Sequence, residues 1–414
     1  MHLPRSGIFV VAFLALTATQ ACSADENPDG SSGANASSGA SGSSGSSGDG
    51  TSGGASSGGA SSSGASSTSS GSSGSSGGPV GEDDGLIPAG SIWRKTMEWY
   101  RPIDSAPVAA HSADMIGALK QWGTTGIFQI DFSFNVLDGA GAPKVTFPPE
   151  DESDNEPVSV PANGYIEGDY AYDACPGGED CHLVVIDRTA NRLFEVYQAG
   201  RSGSTWYGLP NMWKIDKQYP RTNRGLGCTS ADAAGLPIAP GLIGYRETKK
   251  GAINHALRFI IRNEYIRGVA GDRNVVNNVY PASHGSTAGN AAGGVPYGGR
   301  LRLKKTILET DPRIKTPGAR AVLRALQTYG MILADGGNIP LTAESVKVYQ
   351  DKSPAETWEA LLGPRDLGFI KPSDFEVVAI PKSDPSGAAG WYQTKAEYEA
   401  QMKKPLGCQG IVQP

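Results

Sequence analysis

Residues 30–78 contain 16 Gly and 23 Ser in 49 positions, with Asp49 the only charge and no apolar side chain larger than Ala. A tract of this kind cannot bury enough surface to offset the entropy of ordering it, so it predicts a tether rather than a folded element. At 5–6 Å times the square root of its length, its mean span is roughly 40 Å. The chain is therefore divided before any helix or strand is considered. Residues 1–22 read as a leader, 23–83 as a disordered Ser/Gly-rich tether, and 84–414 as a single globular domain.

The leader has Arg5, an apolar run at residues 8–16 and small residues ending in Ala21-Cys22, the anatomy of a secretion signal. The run is too short to span a bilayer, which takes about 20 residues. Cys22 directly after a small residue resembles the lipid-attachment site of bacterial lipoproteins, although Thr19 and Gln20 depart from that pattern and leave plain secretion as the alternative. Ser23 in place of Asp points to the outer membrane. The expected location is extracellular or at the cell surface, as an outer-membrane lipoprotein of a Gram-negative bacterium that touches the membrane only through its lipid. The formal charge of −6, from 36 basic and 42 acidic groups, supplies no basic excess for a nucleic-acid backbone. A DNA or RNA partner is set aside.

Without Cys22, four cysteines remain in an oxidising compartment: Cys175, Cys181, Cys228 and Cys408. Two disulfides are expected, Cys175–Cys181 around a short loop and Cys228–Cys408. A four-thiolate zinc site would need paired CxxC spacings that are absent.

Residues 127–136 alternate Phe128, Ile130, Phe132, Phe134 and Val136 with polar residues, the pattern of a strand with one buried face. Residues 182–187 and 192–197 read as a hairpin. Further strands are expected at 256–261, 300–304, 330–334 and 375–380. Thr316-Pro317, Ser353-Pro354-Ala355-Glu356 and Thr394-Lys395-Ala396-Glu397 mark helix starts, and Ser112 one running to Trp122. With strands in the middle, helices at the ends and no strand–helix alternation, the expected class is mainly β: a β-sandwich or jelly-roll-like core with added helices near both ends.

Several stretches, covering roughly residues 89–378, resemble a widespread family of uncharacterised secreted bacterial proteins. They are DESD (151–154), IEG (166–168), HLVVIDR (182–188), TSADAAGLPI (229–238), HALRF (255–259), LRLK (301–304) and YGMILAD (329–335). Where relatives have an Arg-His pair after an aromatic segment, this chain keeps His284 but has Ser283 before it. The resemblance implies export and fold and carries no chemistry. Ser283-His284-Gly285 is also similar to the L,D-transpeptidases, but Ser286 stands where their pattern continues into a nucleophilic Cys, so that activity is rejected. No Gly-x-Ser-x-Gly elbow marks a serine hydrolase.

Carboxylates are the richest catalytic material. Asp187 and Glu195 lie on the two arms of the predicted hairpin, where a pair in unequal environments can divide into acid and base or nucleophile, as glycosidic hydrolysis requires. Asp187 can equally open the turn, and Glu195 can equally pair with an arginine. Asp232 is a third candidate, with the stabilisation of a short helix as its other reading. His255 and His284 are candidate proton carriers, against a hydrogen-bonded core imidazole and a solvated loop residue. Arg258, Arg300 and Arg302 fall on strand faces that, if adjacent, would grip the anionic groups of a polysaccharide. Trp206, Tyr207 and Trp213 offer flat platforms for sugar rings. No metal site or cofactor is expected.

The leading expectation is an extracellular carbohydrate-active enzyme, a glycoside hydrolase or polysaccharide lyase. It would act as a monomer on a polysaccharide or cell-envelope glycan through Asp187, Glu195, Asp232, His255 and His284, with Arg258, Arg302 and the aromatics binding substrate. The alternative is a non-catalytic surface module that binds carbohydrate or scaffolds the envelope.

Overall fold

The computed structural model describes residues 98–150, 153–177, 179–215, 228–271 and 277–379. All lie within one compact unit, Val80–Pro414. Cys22, the tether, Cys408 and the predicted helix start at Thr394 fall outside the described residues. Among the described residues, no helix is long and apolar enough to cross a membrane.

In chain order the elements are α1 (Ser112–Ala118), β1 (Ile130–Phe134), β2 (Val136–Asp138), β3 (Lys144–Val145), β4 (Val158–Ser159), β5 (Leu183–Asp187), β6 (Arg192–Ser202) and β7 (Thr205–Lys214). They continue with α2 (Tyr245–Lys249), β8 (Leu257–Ile261), β9 (Arg300–Leu303), α3 (Pro317–Thr328), β10 (Met331–Gly336), β11 (Leu341–Glu344), α4 (Lys347–Gln350) and β12 (Phe375–Val377). Strand outweighs helix. A six-stranded sheet has the order β1-β11-β8-β10-β9-β12, a four-stranded sheet the order β2-β5-β6-β7, and β3 pairs with β4 alone.

Both larger sheets are mixed, which the sequence pattern does not suggest. The pairs β1–β11, β8–β10 and β2–β5 run parallel. Parallel neighbours need long crossovers. Helix α3 lies within the β8–β10 connection, whereas among the described residues between β2 and β5 there is no α-helix, so no helical periodicity flags that crossover.

The alternating segment at 127–136 does form strand, but it serves two sheets. Residues up to Phe134 pair with β11, and from Val136 the chain pairs with β5. Asn135 sits buried at the changeover, its side-chain amide donating to the Ile166 carbonyl (3.1 Å) and to Asp169 (2.8 Å). The predicted hairpin forms as β5–β6, with Asp187 opposite Arg192 and Asn191 in the left-handed region at φ 59°. Asn tolerates that conformation better than most residues. β5 is buried along its whole length because both faces are covered. Val184 and Ile186 join the core that also holds Leu257, Phe259 and Ile332 of the large sheet, while Leu183 and Val185 join a second cluster with Leu137, Phe147 and Val158.

Thr316 caps α3, accepting a hydrogen bond from the Ala319 N–H (3.3 Å), and Val322, Leu323 and Leu326 are buried. The helix at Ser112 ends at Ala118, short of Trp122, whose indole is buried and donates to the Ile370 carbonyl (2.9 Å). Ser353-Pro354-Ala355-Glu356 opens a turn rather than a helix, and Glu356 accepts from Tyr245 and Lys249 instead of returning to its cap. Helices α2 and α4 carried no start signal that the sequence reading used.

Cys175 and Cys181 are bonded to each other, and Cys228 is also disulfide-bonded. Closing so short a loop removes limited entropy from the unfolded chain. Cys175→Ala with Cys181→Ala is expected to cost about 2 kcal/mol, read as the loss in urea-unfolding free energy; no change would mean that the loop is held entirely by its other contacts.

Candidate functional site

The register of the β5–β6 hairpin separates the two carboxylates that the sequence placed together. Glu195 stands opposite Val184, and Asp187 opposite Arg192. Val184 and Asp187 are three positions apart, an odd step, so Asp187 and Glu195 face opposite sides of the sheet. Asp187 braces its own turn: its carboxylate accepts from the Ala190 N–H (2.8 Å) and the Ser159 hydroxyl and lies 3.4 Å from Lys144. Against the upward push of burial, the Ser159 hydroxyl, the Ala190 N–H and Lys144 hold its carboxyl below the usual range. This is the turn-opening role, and it removes Asp187 from any pair with Glu195.

Glu195 points into the core shared by the two larger sheets. Its oxygens accept from the Ile238 N–H (2.9 and 3.0 Å) and the Ala239 N–H (2.9 Å). Burial pushes this carboxyl up to about 7, against those donors. Glu195 thereby pins one end of the 229–238 segment, and other contacts fix the rest. The Ser230 hydroxyl oxygen lies 2.5 Å from the Leu236 carbonyl and 2.9 Å from that of Asp232, with one hydrogen to give, while the Ser283 hydroxyl donates to the Cys228 carbonyl (2.7 Å) and the Ala234 N–H to that of Ala334 (2.9 Å). His284 Nδ1 lies 2.8 Å from the Ala233 carbonyl. A carbonyl only accepts, so Nδ1 carries the proton. Gly235 has φ 70°, and a Cβ there would strike the Cys228 carbonyl oxygen, so only Gly fits this bend.

The loop is held in this way around Asp232, which receives Arg258 Nε (2.7 Å) and Nη2 (2.5 Å) in a forked pair, both side chains being buried. Arg258 Nη1 also donates to Thr342 on β11 (3.3 Å). Asp335 completes the group. It follows a register shift in β10 after Leu333, accepts from the Gly336 N–H (2.7 Å), and is partly exposed. Burial and the neighbouring Asp232 raise its carboxyl, against Arg258. The stretches TSADAAGLPI, HALRF and YGMILAD thus bring one charged residue each to the same place.

A second charged chain adjoins the first. Phe134 lies beneath Arg258, with the guanidinium 5.4 Å from its ring centre, and beside the His182 ring at 5.5 Å. His182 Nδ1 is 2.6 Å from Glu167, and Ser133 Oγ lies 3.2 Å from the other Glu167 oxygen and 2.6 Å from Asp131. Ser133 has one hydroxyl hydrogen, which cannot serve both carboxylates at once. A proton on Asp131 satisfies the set. The environments agree: burial and the charge of Glu167 raise Asp131, against the Ser133 hydroxyl. His182, with Arg258 and Ser133, lowers Glu167 against its burial. His182 in turn is raised to about 9 by Glu167, against burial. Asp131, Ser133 and Glu167 are partly exposed, whereas Asp232, Arg258 and Glu195 lie deeper.

The remaining sequence candidates sit elsewhere or are committed to the fold. His255 is buried between Glu247 (2.9 Å) and the Ala256 carbonyl (2.7 Å), against α2. Arg302 is bonded to Glu376 directly across β9–β12 and to the Ile103 and Ala106 carbonyls. Arg300 is fully buried on the carbonyls of Tyr329, Glu98 and Arg101. No cationic stripe forms, because β9 pairs with β10 and β12 rather than with β8. The aromatic platform also dissolves: Trp213 is wholly buried and Trp206 packs on Tyr172 and Phe147, leaving Tyr207 exposed. Of the expected site, Glu195, Asp232 and Arg258 share one region, and His284 touches the loop that holds Asp232. Asp131, Glu167, His182 and Asp335 were not singled out. Asp131 and Ser133 were legible as the wet side of an alternating strand, but nothing in the spacing brings Glu167 to them.

These shifts set the pH dependence of stability. Glu195 and Glu344 are raised by burial to about 7 from an ordinary 4.5, so folding takes up protons between those values and stability falls as pH rises through them. The contribution of His182 is whole below 6.5 and lost as pH rises through about 9. Glu167 and Asp187, held low, lose theirs only in acid. The melting temperature should peak at about pH 5 and decline steadily to pH 9; calorimetry showing a flat or rising Tm across that interval would contradict these assignments.

Among the described residues, no group of three or more His, Cys, Asp or Glu side chains is placed to hold a metal ion. No family model matches this chain, and no curated protein or solved structure matches it either.

Proposed function

We propose that this chain is a carbohydrate-active hydrolase that cleaves a polysaccharide with Asp131 as acid and Glu167 as nucleophile. The observation that carries the reading is the Ser133 bridge between two partly exposed carboxyls whose surroundings push them in opposite directions. Two hydrogen bonds through one oxygen keep those carboxyl oxygens less than about 6 Å apart, close to the roughly 5–5.5 Å of retaining glycosidases. In the first step Asp131 gives its proton to the glycosidic oxygen as the bond to the anomeric carbon breaks, and ionised Glu167 forms a new bond to that carbon. In the second, Asp131, now a carboxylate, takes a proton from water as the water oxygen displaces Glu167. His182 keeps Glu167 ionised throughout.

Export through the leader, lipid attachment at Cys22, stacking of the two larger sheets as a sandwich and action as a monomer on an envelope glycan belong to the same proposal. Its test is the release of reducing ends from a panel of polysaccharides by the full chain. Release that disappears in Glu167→Gln supports hydrolysis, and an unsaturated uronate absorbing in the ultraviolet would point to a lyase instead. The hydrogen bonds that already engage both carboxyls favour a second reading, a non-catalytic glycan-binding module. Binding that survives Asp131→Asn with Glu167→Gln, without turnover before or after, would establish that reading.

A further inference from the structure

Tyr197, Gln198 and Asp180 gather beside Glu167, at the end of one sheet face. Leu183 pairs with Val196, so the next step of the β5–β6 register sets His182 opposite Tyr197, and the two ring centres lie 5.6 Å apart. His182 also holds Glu167: the Glu167 N–H donates to the His182 carbonyl (2.8 Å), and Nδ1 lies 2.6 Å from the Glu167 carboxylate. Glu167 and Tyr197 are both partly exposed, and the buried imidazole touches each of them.

Successive strand residues face opposite ways, yet Tyr197 and Gln198 converge on one atom. The Tyr197 hydroxyl donates to Asp180 Oδ1 (3.3 Å), and the Gln198 amide donates to the same oxygen (3.2 Å). Gln198 reaches it from the left-handed region at φ 50°, at the register shift of β6–β7 between Tyr197 and Gly200. Residues other than Gly rarely adopt that conformation, and those that do cluster at ligand sites. Asp180 is fixed from its own side. It lies inside the loop closed by Cys175–Cys181, and the Cys181 carbonyl accepts from the Ala199 N–H (2.7 Å). Among the described residues, nothing bonds to Asp180 Oδ2 or to Gln198 Oε1, and both side chains are exposed.

We infer that these three residues bind a sugar unit of the glycan beside the bond that Asp131 and Glu167 cleave. This deepens the proposed function and rests on it for the choice of a glycan as ligand. Tyr197 offers its ring to the apolar C–H face of the sugar. Asp180 Oδ2 and Gln198 Oε1 are two fixed acceptors for neighbouring hydroxyl groups, the carboxylate making the stronger, charge-assisted bond.

The test is a length series of oligosaccharides from each polysaccharide of the panel, given to the full chain. Asp180→Ala alters an exposed side chain and should raise KM about tenfold on the longer oligomers, with a smaller effect on kcat. The loss should grow with oligomer length until the subsite is filled. Tyr197→Leu should do the same, and Tyr197→Phe, which restores the flat ring, should recover most of the loss. A KM that stays at the parent value in Asp180→Ala and Tyr197→Leu, or rises equally at every length, would overturn the inference and leave hydrolysis intact. Calorimetric titration of the same oligomers needs no turnover. Binding that Asp180→Ala weakens, with no release of reducing ends, would keep the subsite and overturn hydrolysis. Neither binding nor release with any glycan would overturn both.

Discussion

Arg258→Met is expected to destabilise the fold by about 3–5 kcal/mol, the largest single effect anticipated here. The substitution leaves Asp232, which is wholly buried, without the two guanidinium bonds that neutralise it. The carboxyl must then stay charged in a poorly solvating interior or take up a proton that the folded pair does not need. The loop that carries Asp232 has other anchors at Ser230, Ser283 and Glu195, so the damage should be energetic rather than a loss of topology. The companion Asp232→Leu/Arg258→Met should recover much of the loss, because a buried ion pair replaced by apolar groups of similar volume is often no less stable. Chemical unfolding of the two variants decides the matter. A single variant within about 1 kcal/mol of the parent would mean that Asp232 and Arg258 are better hydrated than their burial indicates.

On a polysaccharide that the parent cleaves, Glu167→Gln should lower kcat by about 10²–10⁴-fold, and it should also lower stability at neutral pH, because His182 loses the carboxylate that raises it. The amide keeps the bond to Ser133 and removes the charge. Asp131→Asn should lose the alkaline limb of the pH profile of kcat/KM, since that limb reports the proton on the acid, and should keep the acid limb. His182→Gln should move the acid limb to higher pH, because Glu167 loses the cation that holds it ionised. A merely structural role for His182 would lower activity without moving either limb. Full activity in Glu167→Gln would end the assignment of this residue.

The sequence carries local chemistry well and distance poorly. Thr316-Pro317 starts α3 because a hydroxyl cap and a fixed φ act over a single turn. The β5–β6 hairpin is legible for the same reason: its turn and both arms lie within one short stretch. Ser353-Pro354 failed as a helix start because tertiary partners, Tyr245 and Lys249, drew Glu356 away from its cap. Asp187 was misplaced for a subtler reason. Counting residues around a turn estimates separation, but the parity of the register decides the face, and an odd offset turned the carboxylate away from Glu195.

The sequence by itself determined the strand-rich character of the fold, the β5–β6 hairpin and the Cys175–Cys181 bridge, all properties of neighbouring residues. Only the tertiary structure decided which charges meet. Asp131, Glu167, His182, Asp232, Arg258 and Asp335 come from strands and loops far apart in the chain, joined by parallel pairings and sheet changes that leave no periodic trace. Whether each is an exposed reagent or a buried partner depends on what the fold packs against it, since burial and neighbouring charge set ionisation.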